Sequence, residues 1–246
     1  MCSRYEGRLT GTFGDLTTVS FYPAHHITMG EGGCVLTSNL ALARIVESLR
    51  DWGRDCWCEP GESNKCLKRF DYQMGTLPAG YDHKYIFSHV GYNLKATEMQ
   101  AAIGLAQLKK FPAFVEARKK NWVYLRKALA PFAKQLILPE PTPKSDPSWF
   151  GFLVTVREDA GFKRDALVAH LENNKVQTRM LFAGNLIKHP CFDAMRKSGK
   201  GYRVAGQLTN TDTILHRTFW VGVYPGMTTG MLKYMVKVFS EFLARN

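Results

Sequence analysis

The sequence lacks long apolar runs, an apolar segment at its start and low-complexity tracts. No stretch approaches the roughly 18 consecutive apolar residues that span a bilayer, so we expect no membrane-spanning helix. The first residues, MCSRYEGRLTG, contain no apolar core of a signal peptide, which predicts a cytoplasmic protein. With 45% apolar and 22% charged residues over 246 positions, the composition is that of a folded globular protein.

Acidic residues are scarce relative to basic ones. The chain has 21 Asp and Glu against 33 Lys and Arg, a net charge of +12. Such an excess attracts phosphate-bearing partners. The basic residues are spread along the chain and follow no RNA-binding, zinc-finger or basic-zipper pattern, so nucleic acid is not an expected partner. The charge indicates a solvated basic surface and an anionic small substrate.

Three of the six cysteines, Cys56, Cys58 and Cys66, fall within eleven residues. Disulfides are disfavoured in a reducing cytoplasm. Thiolates bind soft metals and iron–sulfur clusters. The spacing C-x-C-x7-C is not a common zinc-binding spacing, and no fourth ligand is evident. Free thiols and a metal or cluster site therefore both stay open on spacing alone.

The chain alternates strand-like runs with amphipathic helical patterns, which predicts a mixed α/β fold. The long helical pattern over 97–130 is expected to break or kink near Pro112. A domain boundary along this helix divides the chain into residues 1–115 and 116–246. The loop-like stretch over 53–92 is long enough to indicate a functional segment. Strands are predicted at 17–22, 33–37, 149–156, 176–180 and 218–223, and further helices at 39–53, 162–173 and 229–244.

Residues 20–33 read SFYPAHHITMGEGG, a strand followed by a turn, two histidines and a glycine-rich return. Ligand groups often lie at strand ends in α/β folds. Ser20 offers a hydroxyl suited to a phosphate. His25 can accept a proton near neutral pH as a general base. On residue types alone, a turn with two hydrogen-bonded structural histidines is the alternative interpretation.

This segment resembles the cofactor-lysine loop of the DegT/DnrJ/EryC1/StrS family, whose pattern is close to S-F-H-x-x-K-N-I-T-x-G-E-G-G. Residues 91–104, GYNLKATEMQAAIG, resemble a second family motif, G-Y-N-x-R-x-x-E-x-Q-A-A-x-G. Residues 224–228, YPGMT, resemble a third, Y-P-G-L-T. The resemblance covers nearly the whole chain. It implies part of a fold-type-I, pyridoxal-phosphate-dependent transferase, with residues 1–115 from the large domain and 116–246 as the small domain.

In this resemblance, His25 stands where most of the family has the lysine that binds the cofactor. An imidazole cannot form an imine, because imine formation requires a primary amine. The resemblance therefore implies non-covalent pyridoxamine 5′-phosphate, with His25 as the base. This arrangement is similar to that of the family's sugar 3-dehydrases, which remove the C3 hydroxyl of a nucleotide-linked 4-keto sugar.

The cysteine loop resembles that of the 3-dehydrase branch that carries a [2Fe–2S] cluster. That branch acts on CDP-4-keto-6-deoxyglucose in the synthesis of the 3,6-dideoxyhexoses of O-antigens. The resemblance implies Cys56, Cys58 and Cys66 as cluster ligands. It also implies an NADH-dependent iron–sulfur flavoprotein reductase as the partner that supplies electrons.

Three further positions carry weaker implications of the resemblance. Ser20 matches a contact to the cofactor phosphate within the subunit. Asn93 matches a residue that reaches the cofactor phosphate of the neighbouring subunit, which implies a homodimer. Arg179 lies in a segment that contacts the nucleotide-sugar substrate in relatives, and a surface arginine at a strand edge is its alternative interpretation.

Relatives have a substantial segment before the cofactor loop. It includes an acidic partner of the pyridine nitrogen and the fourth cluster cysteine, and Cys2 is out of register for that ligand. We therefore expect the chain to be the C-terminal portion of a larger enzyme. Two alternatives stay open: a non-catalytic remnant or partner-binding fragment, and a sugar aminotransferase relative.

Overall fold

The structure is a computed structural model that describes residues 1–59 and 61–246. Helices and strands are mixed along the chain, as the sequence predicts. The strands are β1 (Arg4–Tyr5), β2 (Arg8–Leu9), β3 (Thr17–Ser20), β4 (Gly33–Leu36), β5 (Leu136–Ile137), β6 (Ser145–Asp146), β7 (Gly151–Val156), β8 (Thr178–Met180) and β9 (Thr218–Gly222). The helices are α1 (Leu40–Arg50), α2 (Glu98–Leu129), α3 (Arg164–Asn173), α4 (Asp193–Ser198), α5 (Thr209–Arg217) and α6 (Thr229–Leu243).

Contacts divide the chain into two compact units. The first contains Met1 and Arg8–Phe111, and the second contains Cys2–Gly7 and Pro112–Asn246. No helix among the described residues is long and apolar enough to cross a bilayer.

The second unit is organised around a four-stranded antiparallel sheet with the order β5-β7-β9-β8. Alternate residues of β7, Phe152 and Val154, are buried and pair with Val221 and Phe219 of β9. Because side chains alternate between the faces of a strand, these four residues form one apolar face. Helices α3 and α6 contribute to the same core through their buried residues, which are Leu167, Leu171, Leu232, Met235, Val238, Phe239 and Leu243.

The first unit is built on the hairpin of β3 and β4, which is followed by α1 and a long irregular segment. Asn39 caps α1: its side-chain oxygen accepts hydrogen bonds from the backbone N–H groups of Ala41 and Leu42. Thr97 and Gln100 form a capping box at the start of α2, because each side chain accepts a hydrogen bond from the other's backbone N–H.

Helix α2 continues through Pro112 to Leu129, so the expected break does not occur, and the alternative of a kink near this residue stays a prediction. Proline removes one backbone donor and costs a helix interior about 3 kcal/mol. The flanking residues offset this cost, because Phe111 and Val115 are buried beside it and Trp122 and Leu125 continue the apolar stripe.

Candidate functional site

Ser20 and His25 lie on one strand and the turn that follows it. Ser20 is the last residue of β3 and pairs with Gly33 of β4. Its hydroxyl oxygen accepts a hydrogen bond from the backbone N–H of Tyr22 at 3.3 Å. The side chain is exposed, and its hydroxyl hydrogen can be donated to a ligand. The strand end therefore presents a donor close in sequence to the two histidines.

His25 closes the turn after β3, with its backbone N–H donating to the carbonyl of Tyr22 at 2.9 Å. The imidazole is half-buried and meets the Tyr22 ring edge-on, with the ring centroids 5.8 Å apart. His26 points elsewhere and meets Phe111 of α2 edge-on. Two adjacent histidines thus have different environments, and one of them packs against the helix.

The loop that carries His25 is held at both ends. Near its start, the N–H of Phe21 donates to Gly32 and the carbonyl of Phe21 accepts from Met29. Near its end, the side-chain amide of Gln100 donates to the carbonyl of Glu31 at 3.0 Å. Ile27, at 4% exposure, anchors the middle. These contacts define the position of the loop that carries His25.

Asn93 lies on the segment that joins the long irregular stretch to α2. It forms an isolated antiparallel bridge with Asp51, just after α1. The neighbouring Tyr92 donates its N–H to Leu49 at 2.7 Å and accepts from Trp52 at 2.8 Å. The backbone position of Asn93 is therefore fixed by the C-terminal end of α1, while its side chain is exposed.

The three clustered cysteines line one small pocket together with His83. Burial raises the pKa of the Cys56 thiol, and the nearby Cys58 and Cys66 thiols add to that rise. Cys66 Sγ lies 3.7 Å from His83 Nδ1. The three thiols, which the sequence predicts to share one site, therefore line the same pocket.

No group of three or more His, Cys, Asp or Glu side chains in residues 1–59 and 61–246 is arranged closely enough to hold a metal ion. The thiols share a pocket without forming a preassembled ligand set. A larger groove of about 560 Å³ also includes Cys56 and Cys58. Trp57, which is 43% exposed, lies between them in sequence and contacts the Arg44 guanidinium, 5.5 Å from the ring centroid.

Arg179 belongs to the second unit, whereas the other predicted site residues belong to the first. It lies in β8 opposite Trp220 of β9, and it is exposed. Its guanidinium donates a hydrogen bond to the carbonyl of Thr178 at 2.7 Å. Phe182, two residues beyond β8, has a positive φ of 46° and is 73% exposed. An aromatic residue held in this conformation marks the segment as locally strained.

Sequence reasoning missed the residues that support the cysteine pocket. His83 is 1% exposed, and its Nε2 lies 2.6 Å from Asp55 Oδ2. Arg69 binds the carboxylate of Asp82 through two hydrogen bonds, at 2.9 and 2.5 Å. No sequence motif has the spacing of Asp55 and His83, or of Arg69 and Asp82. These residues meet only because the irregular segment folds back on itself. The one available signal was the density of His, Asp and aromatic residues over 69–85.

The fold and the candidate site define a class of protein. The family model described as the DegT/DnrJ/EryC1/StrS aminotransferase family matches residues 1–240, and the chain belongs to this family. The family resemblance inferred from the three motifs is confirmed.

Individual relatives indicate a narrower reaction class than the family does. The chain is 63% identical over 244 residues to dTDP-4-dehydro-2,6-dideoxy-D-glucose 3-dehydratase of Saccharopolyspora spinosa, covering 99% of this chain and 52% of that protein. It is 58% identical over 242 residues to lipopolysaccharide biosynthesis protein RfbH of Salmonella typhimurium, covering 98% of this chain and 54% of that protein. The chain thus spans about half the length of these curated relatives.

Among solved structures, E. coli GDP-4-keto-6-deoxy-D-mannose-3-dehydratase with bound hydrated PLP superposes with a TM-score of 0.79 at 26% identity. The match covers 97% of this chain and 58% of that one. The expected fold, that of a pyridoxal-phosphate-dependent transferase, is confirmed by this similarity. Relatives of the chain are nucleotide-sugar 3-dehydratases, which agrees with the expected reaction class.

Proposed function

We propose that the chain takes part in the pyridoxamine-phosphate-dependent loss of the C3 hydroxyl from a nucleotide-linked 4-keto-6-deoxyhexose. The observation that carries this proposal is His25, an imidazole at the family's lysine position, in a chain 63% identical to a 3-dehydratase. An imidazole lacks the primary amine needed to bind the cofactor covalently, but it can accept a proton.

The residues of the loop fit such a cofactor by their chemistry. When bound, the cofactor supplies an amine that condenses with a carbonyl and a ring that delocalises charge. The exposed hydroxyl of Ser20 suits the phosphate, because it can donate a hydrogen bond while its oxygen accepts from Tyr22. His25 would accept a proton from the methylene carbon of the cofactor.

We propose CDP-4-keto-6-deoxyglucose as the substrate, and 3,6-dideoxyhexose synthesis for O-antigen as the setting. The relative RfbH, named for lipopolysaccharide biosynthesis, supports this setting. The Saccharopolyspora relative is named for dTDP-4-dehydro-2,6-dideoxy-D-glucose, which makes this sugar the second candidate substrate. Arg179, exposed on β8, is the proposed contact to the anionic part of either substrate.

We propose that the chain forms a homodimer through the surface around Asn93. Exposed apolar residues flank this position: Val90 is 97% exposed, Tyr92 65% and Leu94 67%. Exposed apolar residues close together in the sequence are a feature of interaction sites, and they support this surface as the interface. In this arrangement, Asn93 would reach the cofactor phosphate of the partner subunit.

We propose a [2Fe–2S] cluster at Cys56, Cys58 and Cys66, reduced by an NADH-dependent iron–sulfur flavoprotein. The chemistry of the donors supports this, since three thiols line one pocket and thiolates are the ligands of such clusters. The groove at Cys56 and Cys58, with the exposed Trp57 beside it, offers the reductase an approach to the site.

The experiment incubates the full chain with pyridoxamine 5′-phosphate and either CDP-4-keto-6-deoxyglucose or dTDP-4-dehydro-2,6-dideoxy-D-glucose, the sugar in the name of the Saccharopolyspora relative. Mass spectrometry then follows loss of the C3 oxygen in the presence of a reductase. We expect turnover with wild type, and a decrease of about 10²–10⁴-fold for His25→Asn, the usual contribution of a general base. Full turnover by His25→Asn with normal cofactor binding would show that His25 is not the base.

A further inference from the structure

The four-stranded sheet of the second unit carries a cation and a large aromatic ring on the face opposite to its core. Arg179 of β8 pairs with Trp220 of β9, and Trp220 pairs with Leu153 of β7. Residues directly opposite each other on antiparallel strands have their side chains on the same face of the sheet. Phe152 and Val154, which flank Leu153, belong to the core, so the row of three partners lies on the other face.

Two phenylalanines extend the aromatic surface that begins at Trp220. The ring centroids of Phe150 and Trp220 are 5.2 Å apart, and Phe182 stacks on Phe150 with centroids 6.5 Å apart and planes inclined by 25°. Gly151 lets the indole lie against β7, because a Cβ built there would be 2.6 Å from the ring. Phe182 ends this series and is 73% exposed. The series therefore presents a flat apolar ring to solvent on an aromatic support.

The backbone that carries Phe182 is held in a conformation that bulky residues rarely adopt, with a φ of +46°. The carbonyl oxygen of Met180 accepts the N–H of Phe182 at 2.7 Å and the indole N–H of Trp220 at 3.1 Å. Gly184 closes the turn by donating its N–H to the carbonyl of Leu181 at 3.1 Å. One carbonyl thus fixes both the exposed ring and its indole support. Strain that the surroundings enforce in this way clusters at ligand sites.

Arg179 adds a positive charge at β8. A guanidinium has five N–H donors, and one of them donates to the carbonyl of Thr178 at 2.7 Å. The pKa of Glu172 is lowered by hydrogen bonds from Thr178 and, to a smaller extent, by the charge of Arg179. The Arg179 side chain is exposed, so its other donors can reach the oxygens of a phosphate.

We propose that Phe182 stacks on the nucleobase of the nucleotide sugar while Arg179 binds its diphosphate. This inference rests on the proposed substrate class, and it gives the base a binding residue that the proposed function does not name. Nucleobases are flat aromatic systems, and proteins bind them by stacking on aromatic side chains. Because every base has a π-face, Phe182 contributes affinity without selecting cytosine over thymine.

The test measures binding of CDP, dTDP and inorganic pyrophosphate to the full chain by isothermal titration calorimetry. Pyrophosphate supplies the anion without a base, so we expect wild type to bind both nucleotides more tightly than pyrophosphate. Phe182→Asn removes the ring and introduces a residue that tolerates a left-handed backbone. This variant is expected to bind CDP and dTDP about 5- to 150-fold more weakly, with an unchanged affinity for pyrophosphate.

Three further variants separate stacking from other effects. Phe182→Tyr retains a ring that can stack and is expected to bind the nucleotides as wild type does. Phe70→Asn is the matched control, because Phe70 is an exposed phenylalanine of the first unit, and it is expected to change no affinity. Arg179→Gln is expected to weaken binding of all three ligands. If Phe182→Asn fails to fold, Phe182→Gly, which also accommodates the positive φ, replaces it with the same expected losses.

The outcomes separate this inference from the proposed function. An unaltered nucleotide affinity in Phe182→Asn, or a wild type that binds CDP no more tightly than pyrophosphate, overturns the inference. An equal loss of pyrophosphate binding in Phe182→Asn also overturns it, because Phe182 would then only shape the loop. A wild type that binds CDP through Phe182 but never removes the C3 oxygen contradicts the proposed reaction alone. Turnover by wild type with unaltered nucleotide affinity in Phe182→Asn contradicts the stacking alone.

Discussion

Gly53 and Gly91 cross with their backbones in direct contact. A Cβ built on Gly91 would lie 2.2 Å from the backbone nitrogen of Gly53, and one built on Gly53 would lie 1.9 Å from the carbonyl oxygen of His89. Around this crossing, the N–H groups of Ser88 and His89 donate to the carbonyl of Gly53. The crossing joins the end of α1 to the segment that carries Asn93, so two glycines determine where that residue lies.

Substituting Gly53 is therefore expected to open the crossing. Gly53 has a φ of +83°, and in Gly53→Ala the methyl group would overlap the His89 carbonyl. We expect the free energy of unfolding to fall by about 4 kcal/mol or more, because backbone strain and a steric clash act together in this variant. Hydrogen exchange with mass spectrometry detects the opening of the crossing as faster amide exchange over residues 87–94.

Gly61→Ala is the matched control for this substitution. Gly61 has the same φ of +83°, but no heavy atom lies within 4 Å of its built Cβ. Only the left-handed backbone penalty applies there, about 1–2 kcal/mol. Equal exchange rates over 87–94 in the two variants would mean that the close approach at Gly53 contributes nothing to the crossing.

His25→Lys is expected to convert the loop into one that binds its cofactor covalently. A lysine amine at this position can form an imine with pyridoxal 5′-phosphate, whereas an imidazole cannot. After incubation and borohydride reduction, intact-mass spectrometry should show one added cofactor on His25→Lys. A glutamate-dependent transamination assay with the 4-keto sugar is expected to show activity that wild type lacks.

His26→Lys is the control, because His26 is the neighbouring residue and packs against Phe111 instead of Tyr22. No covalent adduct is expected there. An adduct on His26→Lys and none on His25→Lys would mean that the register of the family motif is off by one residue and that the proposed base is the wrong histidine.

The local signals in the sequence predicted most of the regular elements, because those elements depend on local patterns. Asn39 and Thr97 mark the beginnings of α1 and α2 by side-chain capping, which sequence spacing reveals. Strand β7, Gly151–Val156, is the strand predicted over 149–156 and begins two residues later than predicted. Helix α5 was missed, because Ile214 and Leu215 are the only apolar residues in TNTDTILHR and two positions are too few to mark a helical face.

The candidate site was less accessible to prediction. Ser20, His25 and the three cysteines were singled out, because chemistry-bearing residues stand close together in the sequence there. His83 and Asp55 are 28 positions apart and meet through tertiary contacts alone. No local pattern encodes such a meeting, so the structure was needed to connect them to Cys66.

The surface around Asn93 predicts that Val90→Asp weakens self-association. Val90 is 97% exposed, and the proposed dimer would cover it. A carboxylate in an apolar interface loses its water shell without a partner, and the valine contributes about 1.5–3 kcal/mol when buried. We expect at least about a tenfold weaker dimer. Light scattering coupled to size exclusion over a concentration series measures this change.

Leu67→Asp provides the comparison. Leu67 is 81% exposed in the cysteine loop, away in sequence from the segment around Asn93. The same change in charge and a similar change in apolar area are expected to leave the association constant unaltered. Equal weakening by both variants would attribute the effect to charge and not to an interface at Val90, and a monomeric wild type would remove the proposed dimer.

The Arg69–Asp82 pair predicts how the cysteine loop responds to acid. Hydrogen bonds from Arg69 lower the pKa of Asp82 from 3.8 to about 2. Because the folded-state pKa lies below the usual value, the stabilisation is fully present above pH 3.8 and is lost as the pH falls toward 2. The carboxylate also accepts the N–H of Lys84, so its protonation loosens the short helical turn that begins at His83.

Arg69→Gln is expected to return the pKa of Asp82 toward its usual value, which carbon-detected magnetic resonance of the side-chain carboxyl measures as a function of pH. The loosened turn would also displace His83, so cysteine alkylation at neutral pH is expected to speed up at Cys66. Arg217→Gln is the control: Arg217 lowers the pKa of Glu158 in the second unit, and its loss should leave the Asp82 titration unchanged. A titration of Asp82 that is the same in wild type and Arg69→Gln would mean that the pair does not form in solution.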